Sequence, residues 1–106
     1  MEARKIIITG GATRIGAAIA KKLSGKNKEI LIHYNNSKYE AEILKKDLEK
    51  NGSKIYLING DLSKETNVNK IIKFAKSKLK YFDCLINNAS LFENDKLENF
   101  STNSWD

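Results

Sequence analysis

The chain has 106 residues, of which 41% are apolar and 30% are charged, and its net charge is +6. This composition is typical of one soluble globular domain, and no apolar run approaches the roughly 20 residues that would span a membrane. The single cysteine, Cys84, excludes an internal disulfide and favours a reducing, cytoplasmic location.

The positive charge admits a nucleic-acid partner as one interpretation. The lysines, however, are spread over three predicted helices among acidic and amide residues, and no basic stripe carries interleaved aromatic side chains. Solvated helix faces therefore explain the charge better. We expect neither a nucleic-acid nor a membrane partner.

The first predicted unit is a strand, a glycine-rich turn and a helix in direct succession. The β-branched run Lys5–Thr9 is typical of a buried strand, and residues 14–24 have the apolar spacing of a helix. Gly25 is the expected stop of this helix. The residues expected to face the core are Ile15, Ala18, Ile19 and Leu23.

The turn at positions 9–16, Thr-Gly-Gly-Ala-Thr-Arg-Ile-Gly, is called the glycine loop below and is the first candidate site. A helix N-terminus has N–H groups without intrahelical acceptors and carries roughly half a positive charge. Gly10 and Gly16 let the backbone turn tightly and let a phosphate approach. We expect the pyrophosphate of a dinucleotide at residues 10–16, and the alternative is an ordinary strand-to-helix turn.

Strands and helices alternate along the rest of the chain. Further strands are predicted at Glu29–Tyr34, Lys54–Asn59 and residues 83–87, and they are near-continuous apolar runs, as expected of strands buried on both faces. This alternation implies right-handed crossovers and a parallel sheet. The predicted fold class is therefore α/β, a Rossmann-type doubly wound sheet with the connectivity β-α-β-α-β-α-β and the strand order 3-2-1-4.

Caps and apolar faces define the second and third predicted helices. Ser37, followed three residues later by Glu40, has the pattern of a capping box, and Asn51-Gly52 is the expected end of the second helix. Ser63 is the expected cap of the third helix. The expected core residues are Ala41, Leu44 and Leu48 in the second helix, and Val68, Ile71, Ile72, Ala75 and Leu79 in the third.

The pattern changes after the fourth strand. Residues 89–100 have no clear period and are predicted to form a loop. Ser101 or Thr102 is a candidate cap for a new helix, with room for one turn. A helix of one turn is not a stable terminus, and the fourth strand would lie at an open edge of the sheet. We therefore expect residues 1–106 to be the N-terminal part of a longer NAD(P)-binding Rossmann domain.

The turn after the second strand decides between the two nicotinamide cofactors, because ligands of a parallel sheet bind beyond the carboxyl ends of its strands. A carboxylate in this turn would hold the 2′-hydroxyl of NAD, but the chain has none there. Arg14, in the glycine loop, has the planar fork that binds a 2′-phosphate, so NADP(H) is predicted. The turn residues that can surround this phosphate are His33, Tyr34, Asn35, Asn36 and Ser37. The alternatives are a solvent-facing Arg14 and a packed histidine at position 33.

The turns after the third and fourth strands complete the candidate site. Asp61, with Leu62 beside it, can accept a hydrogen bond from the adenine amino group, or it is only a favourable charge at a helix N-terminus. The residues that follow the fourth strand are small or carry amides. They suit close approach to a ribose, or hydrogen bonds between neighbouring strands, and they are Asn87, Asn88, Ala89 and Ser90.

These motifs together resemble the short-chain dehydrogenase/reductase family. The resemblance rests on Thr9-Gly10-x-x-x-x-Ile15-Gly16, on Asp61-Leu62 and on Asn87-Asn88-Ala89, in this order along the chain. Arg14, the turn after the second strand and Asn88-Ala89-Ser90-x-Phe92 are similar to the pteridine reductase branch of that family.

The resemblance implies an NADPH-dependent reductase that transfers hydride to a carbonyl or a pteridine substrate. It also implies that Arg14, His33 and Ser37 hold the NADP phosphate and that Phe92 stacks on a pterin ring. The alternative for Phe92 is a buried core aromatic. Full-length members of the family are usually tetramers, so a homo-oligomer is expected.

Catalysis in this family needs a serine and a Tyr-x-x-x-Lys pair on later elements. Tyr34 and Lys38 have the spacing of that pair, but they lie at the turn where the family binds the cofactor phosphate. No catalytic residue is therefore predicted within residues 1–106. Two other functions stay open, a non-catalytic NADP-binding module and a basic nucleic-acid-binding α/β domain.

Overall fold

Strands and helices alternate along residues 4–88, the part of the chain that the computed structural model describes. The elements in chain order are β1 (Lys5–Thr9), α1 (Arg14–Leu23), β2 (Glu29–Tyr34), α2 (Lys38–Lys50), β3 (Lys54–Asn59), α3 (Glu65–Leu79) and β4 (Cys84–Asn87). The strands pair in parallel, in the order β3-β2-β1-β4. The predicted α/β fold class, connectivity and strand order are confirmed.

Strand β1 is interior to the sheet and is covered on both faces. Ile8 pairs with Ile32 of β2 on one side and with Ile86 of β4 on the other. Its neighbours Ile6 and Ile7 are fully buried as well, although successive side chains of a strand point to opposite faces. A run of isoleucines suits this position because both faces of the strand are apolar.

Two separate core layers lie on the two faces of the sheet, which makes the sheet doubly wound. One layer packs α3 against Ile7 and Leu31, and its buried helix residues are Val68, Ile71, Ala75 and Leu79. The other packs α1 and α2 against Ile6, Ile8, Ile30, Ile32 and Ile55, with Ala20, Leu44 and Leu48 buried beneath the helices. The predicted core faces of α2 and α3 are confirmed, except that Ile72 is only partly buried.

The predicted core face of α1 is confirmed for Ile19 and Leu23, which are partly buried against the core, and is wrong for Ile15 and Ala18. Gly16 and Ala20 are the buried residues of this helix, whereas Ile15 is 68% exposed. Ala18 is exposed too. The physical reason is the close approach of Gly16 to the glycine loop, which places Gly16 and Ala20 at the centre of the buried face and Ile19 and Leu23 at its border.

Two predicted helix caps are wrong. Ser37 occupies the N-cap position of α2 but makes no side-chain cap bond, so the capping box with Glu40 is absent. The N-cap of α3 is Lys64 rather than Ser63. The hydroxyl of Ser63 instead donates to Asp61 Oδ1 over 2.7 Å, which removes it from the helix terminus.

Strand β4 begins at Cys84, one residue later than predicted. The side chain of Asp83 explains the shift, because its Oδ2 accepts from the backbone N–H groups of Arg4 and Lys5, both over 2.9 Å. The chain ahead of β4 is thus tied to the start of β1 by a side chain as well as by the backbone.

No helix within residues 4–88 has the length and apolar character needed to cross a membrane. The expectations for the loop at residues 89–100, for a helix after Ser101 or Thr102, and for Ala89, Ser90 and Phe92 lie outside the described residues.

Candidate functional site

The turns after β1, β2, β3 and β4 meet at the carboxyl edge of the sheet and enclose a cleft of about 330 Å³. Eight residues that the sequence singled out line it: Gly10, His33, Tyr34, Asn35, Asn36, Ser37, Leu62 and Asn88. Ala12 and Thr13 of the glycine loop also line the cleft, without having been assigned individual roles, and so does Gly60, which was not singled out. This edge is the place that the parallel topology predicts for a ligand.

Arg14 and Ile15 lie outside this cleft, on an adjoining surface at the start of α1. Thr13 and Asn88 line both the cleft and this surface, so the two are continuous. The side chain of Arg14 is exposed in the structure. Both the phosphate-binding interpretation and the solvent-facing alternative remain compatible with its position.

Gly10 is the corner of the glycine loop. Its φ angle is +64°, in the left-handed region that favours glycine. Its carbonyl oxygen accepts from Thr13 N over 3.3 Å, Thr13 Oγ1 over 2.8 Å and Asn88 Nδ2 over 3.0 Å. Three donors on one carbonyl fix the orientation of this peptide group.

Gly16 lets the first turn of α1 lie directly on the glycine loop. A Cβ placed here would lie 2.7 Å from the Gly11 Cα and 2.9 Å from Asn88 Nδ2, and closer still to the Gly10 carbonyl oxygen. Real Cβ atoms do not approach backbone this closely. The helix N-terminus, with its N–H groups and partial positive charge, is thereby brought against the rim of the cleft.

Thr13 is the N-cap of α1 and links three parts of the site. Its Oγ1 accepts from Gly16 N over 3.4 Å and from Asn88 Nδ2 over 3.0 Å, while it donates to the Gly10 carbonyl. Thr13 lies in the predicted glycine loop, but its role as a cap was not predicted. The signal was present, because a threonine directly before a helical segment is a favoured N-cap.

Asn87 and Asn88 bind the end of β4 to the end of β1. Thr9 Oγ1 donates to Asn87 Oδ1 over 2.9 Å and accepts from Asn88 N over 3.1 Å. The structure therefore shows the strand-bridging hydrogen bonds that the sequence offered as one alternative for these amides. A contact of Asn88 with a ribose stays a prediction.

His33 is buried at the end of β2, with 2% of its surface exposed. Its Nδ1 accepts from Gly10 N over 3.0 Å, and its Nε2 lies 2.7 Å from the Gly60 carbonyl oxygen. The pKa of the imidazole is lowered, chiefly by burial and further by the charge of Lys70, against the opposing effect of the Gly60 carbonyl. This geometry matches the packed-histidine alternative, since a phosphate contact would require one of the two hydrogen bonds to break.

Asp61 and Leu62 have different environments although they are neighbours. Leu62 is buried in the core beneath α3 and reaches the cleft. Asp61 Oδ1 accepts from the Ser63 hydroxyl and the Ser63 N–H, and these bonds hold the pKa of the carboxyl below its usual value. Asp61 is therefore ionised at neutral pH, although it does not line the cleft.

Among residues 4–88, no carboxylate lines the cleft, and no group of three or more His, Cys, Asp or Glu side chains could hold a metal ion. The lining instead offers backbone groups, hydroxyls and amides, together with the helix N-terminus nearby. These are the groups that bind an anionic, hydrogen-bonding ligand such as a nucleotide.

The fold and this edge together define a Rossmann-type nucleotide-binding domain. Comparison with known proteins is more specific, since the family model for short chain dehydrogenase matches residues 4–106. The chain belongs to the short-chain dehydrogenase family.

Individual relatives support the same family assignment. The short-chain dehydrogenase/reductase FrzI of Cladobotryum sp. is 30% identical over 100 residues, which cover 94% of this chain and 39% of the relative. A short-chain dehydrogenase structure from Oenococcus oeni is 34% identical with a TM-score of 0.72, over 81% of this chain and 40% of that one.

A third relative was crystallised with a nucleotide. The FolM alternative dihydrofolate reductase 1 of Brucella canis, complexed with NADP, is 33% identical with a TM-score of 0.72, over 85% of this chain and 36% of that one. The chain thus spans about two fifths, or less, of the length of these three relatives.

Proposed function

We propose that this chain supplies the NADP(H)-binding part of a short-chain reductase. The observation that carries the proposal is the cleft at which the glycine loop meets a turn after β2 that has no carboxylate. Three of the similar solved structures are NADP complexes, which supports the same cofactor.

The residues present fit such a cofactor. The N-terminus of α1, which lies directly on the glycine loop because Gly16 has no side chain, suits the pyrophosphate. Tyr34, Asn35, Asn36 and Ser37, with Arg14 on the adjoining surface, surround the place for a 2′-phosphate. Asp61 and Leu62 are assigned to the adenine, and Asn88, Ala89 and Ser90 to the ribose next to the nicotinamide.

The bound nicotinamide would supply a hydride to a carbonyl or a pteridine C=N bond. Residues 1–106 contribute binding and orientation, and we assign no catalytic residue among them. Phe92 is assigned to the substrate. The serine and the Tyr-x-x-x-Lys pair would come from later segments of a full-length, homo-oligomeric and cytoplasmic enzyme, for which we propose a tetramer.

A variant of Arg14 tests the choice of cofactor. Arg14→Ala should weaken NADPH binding about 10- to 100-fold, the effect of losing a charged hydrogen-bonding partner, and should leave NADH binding unchanged. Titration of the intrinsic fluorescence of each reduced nucleotide measures both affinities.

Arg4→Ala is the matched control, because Arg4 lies at the opposite, amino edge of the sheet. It should leave the NADPH to NADH ratio as in the native chain. An unchanged ratio in Arg14→Ala would show that Arg14 does not read the 2′-phosphate. Failure of the native chain to bind either nucleotide would overturn the proposed function.

A further inference from the structure

The imidazole of His33 joins two turns of the site through opposite ring nitrogens. A backbone N–H can only donate, so Nδ1, which lies 3.0 Å from Gly10 N, carries no hydrogen. The proton of the neutral ring must then be on Nε2, where it is donated to the Gly60 carbonyl over 2.7 Å. The structure thus selects one tautomer of the uncharged histidine.

This ring holds the glycine loop at its corner. Gly10 has the left-handed φ of +64°, and its carbonyl is fixed by Thr13 and Asn88. His33 fixes the N–H on the other side of the same residue. The backbone bond from Gly11 N to the His33 carbonyl, of 2.9 Å, fastens the next residue to the same strand.

We propose that His33 is a positioning residue for the dinucleotide. Only the uncharged ring with its proton on Nε2 can accept from Gly10 and keep the glycine loop in the shape that receives the pyrophosphate. A proton added to Nδ1 would face the Gly10 N–H, donor against donor, and would release the loop. This inference rests on the proposed NADP(H) site.

The charges around the ring favour its neutral form. Burial disfavours the protonated ring most strongly, because it removes the charge from water, and the positive charge of Lys70 on α3 disfavours it further. Both effects lower the pKa of His33. Asp61, in the turn after β3, is engaged with Ser63. Tyr34, the next residue of β2, lines the same cleft as His33 and also a surface that Lys38 and Glu42 of α2 line.

Two variants separate the two hydrogen bonds of the ring. The amide oxygen of His33→Asn reaches about as far as Nδ1, so it can accept from Gly10 without titrating. The longer side chain of His33→Gln reaches about as far as Nε2, so it can donate to Gly60 but leaves the Gly10 N–H without its acceptor. His33→Asn loses the bond to the Gly60 carbonyl but keeps the bond to Gly10, so it is expected to weaken NADP⁺ binding at pH 7.5 less than His33→Gln, which should weaken it roughly tenfold.

His33 is the single histidine of the chain, so its ring can be observed directly by ¹⁵N NMR in the full chain. We expect the shifts of a neutral ring with the proton on Nε2 at pH 7.5, and a pKa that falls further when NADP⁺ is added, because binding and protonation are reciprocally linked. A charged ring, a proton on Nδ1, or a pKa that NADP⁺ leaves unchanged would overturn the proposal without requiring any variant.

Calorimetric titration with NADP⁺ between pH 5 and pH 7.5 gives the second readout. Below the pKa of His33 the dissociation constant of the native chain should rise by up to about tenfold per pH unit, because the competent fraction falls. The 2′-phosphate of NADP⁺ titrates near pH 6 as well, but it contributes equally to His33→Asn. The difference between the two proteins in the pH dependence of the dissociation constant therefore reports the protonation of the His33 ring alone.

The outcomes distinguish this inference from the proposed function. Identical pH profiles of the native chain and His33→Asn would overturn the positioning role while leaving the NADP(H) site in place. Absence of NADP⁺ binding at pH 7.5, with the ring in the expected form, would overturn the site itself and with it the role of His33. A steeper acid loss in the native chain than in His33→Asn supports both.

Discussion

Position 16 has no room for even a methyl group. A Cβ there would press on the backbone of the glycine loop, which is no flexible side-chain end. It would also press on Asn88 Nδ2, which is held by the Gly10 carbonyl and by Thr13 Oγ1. We expect Gly16→Ala to lower the free energy of unfolding by about 1–3 kcal/mol, as overpacking does elsewhere, and to weaken NADPH binding because the loop must shift. Urea denaturation and NADPH titration measure the two effects.

Gly60→Ala is the control for that substitution. A Cβ at position 60 would lie 3.3 Å from the Asn67 Cβ and 3.5 Å from the end of Ile71, so it is much less crowded than a Cβ at position 16. A smaller loss of stability than in Gly16→Ala is expected. An equal loss would mean that contact with the backbone of the glycine loop is not what forbids a side chain at position 16.

At the level of residues, sequence patterns located the site better than they described its contacts. The glycine loop and the turn after β2 were found, because glycine spacing and missing carboxylates are visible in the sequence. The two hydrogen bonds of His33 were not found, because they depend on how the turns after β1 and β3 meet in space. Ile15 was misplaced because its apolarity suggested burial, whereas Gly16 determines the orientation of α1.

Among the elements, the N-termini of α1 and α2 differ in a way that mutation can measure. Thr13 caps α1 and also bonds to Gly10 and Asn88. Thr13→Ala should therefore lower the free energy of unfolding by about 1 kcal/mol or more. Thr13→Ser, which keeps the hydroxyl, should lose much less. Equal losses in the two variants, measured by thermal and urea denaturation, would argue against the cap.

At the N-terminus of α2, removal of the hydroxyl at the N-cap position should cost little stability. Because Ser37 makes no side-chain cap bond, Ser37→Ala should change the free energy of unfolding by no more than about 0.5 kcal/mol. If Ser37 contacts the 2′-phosphate, the same variant should bind NADPH more weakly. A loss of stability as large as that of Thr13→Ala would show that the capping box forms after all.

Element boundaries were predictable wherever an apolar run ended at a polar turn, as in β1, β2 and β3. They were less predictable where a side chain competed with the backbone. Asp83 binds the N–H groups of Arg4 and Lys5 and so delays the start of β4. Ser63 binds Asp61 and so cannot cap α3. A sequence motif indicates the possible hydrogen-bond partners of such a side chain, but it does not indicate which of them the side chain binds in the folded protein.

For the whole molecule, the lowered pKa values of His33, Asp61 and Asp83 have one common consequence. In each case the unfolded chain takes up its proton at a higher pH than the folded chain does, so stability must fall as the pH falls. The loss begins as the pH drops below about 6.5 for His33, by at most about 1.4 kcal/mol per pH unit. It continues below about 4 for the two carboxylates.

Urea denaturation of the native chain and of His33→Asn across pH 3–8 measures this dependence. His33→Asn should not show the loss of stability that begins below about pH 6.5, because it lacks the titrating ring. It should still lose stability below about pH 4, where Asp61 and Asp83 are protonated. A native chain that is more stable at pH 5 than at pH 7.5 would contradict the assignment of a buried, neutral His33. Asp83→Asn should reduce stability at neutral pH, and its difference from the native chain should shrink in acid as Asp83 is protonated.

The overall topology was the most predictable feature, because it follows from the alternation of strand and helix and from the handedness of crossovers. Each of these rests on many residues, so that single exceptions such as Ile15 do not change the result. Each contact within the site depends on one or two atoms, so a small error in the position of one side chain is enough to make its prediction wrong.

The hydrogen bonds between the glycine loop and β4 have a consequence for the order in which the chain folds. The bonds from Thr9 to Asn87 and from Asn88 to Gly10 each join positions 78 residues apart. Such distant contacts form late, since the entropy of closing a long loop must be overcome first. The loop near the start of the chain therefore acquires its final shape only after the ribosome has delivered Asn88. A dinucleotide that recognises this shape would bind only molecules in which β4 has already paired with β1. Its binding would shift the folding equilibrium toward those molecules.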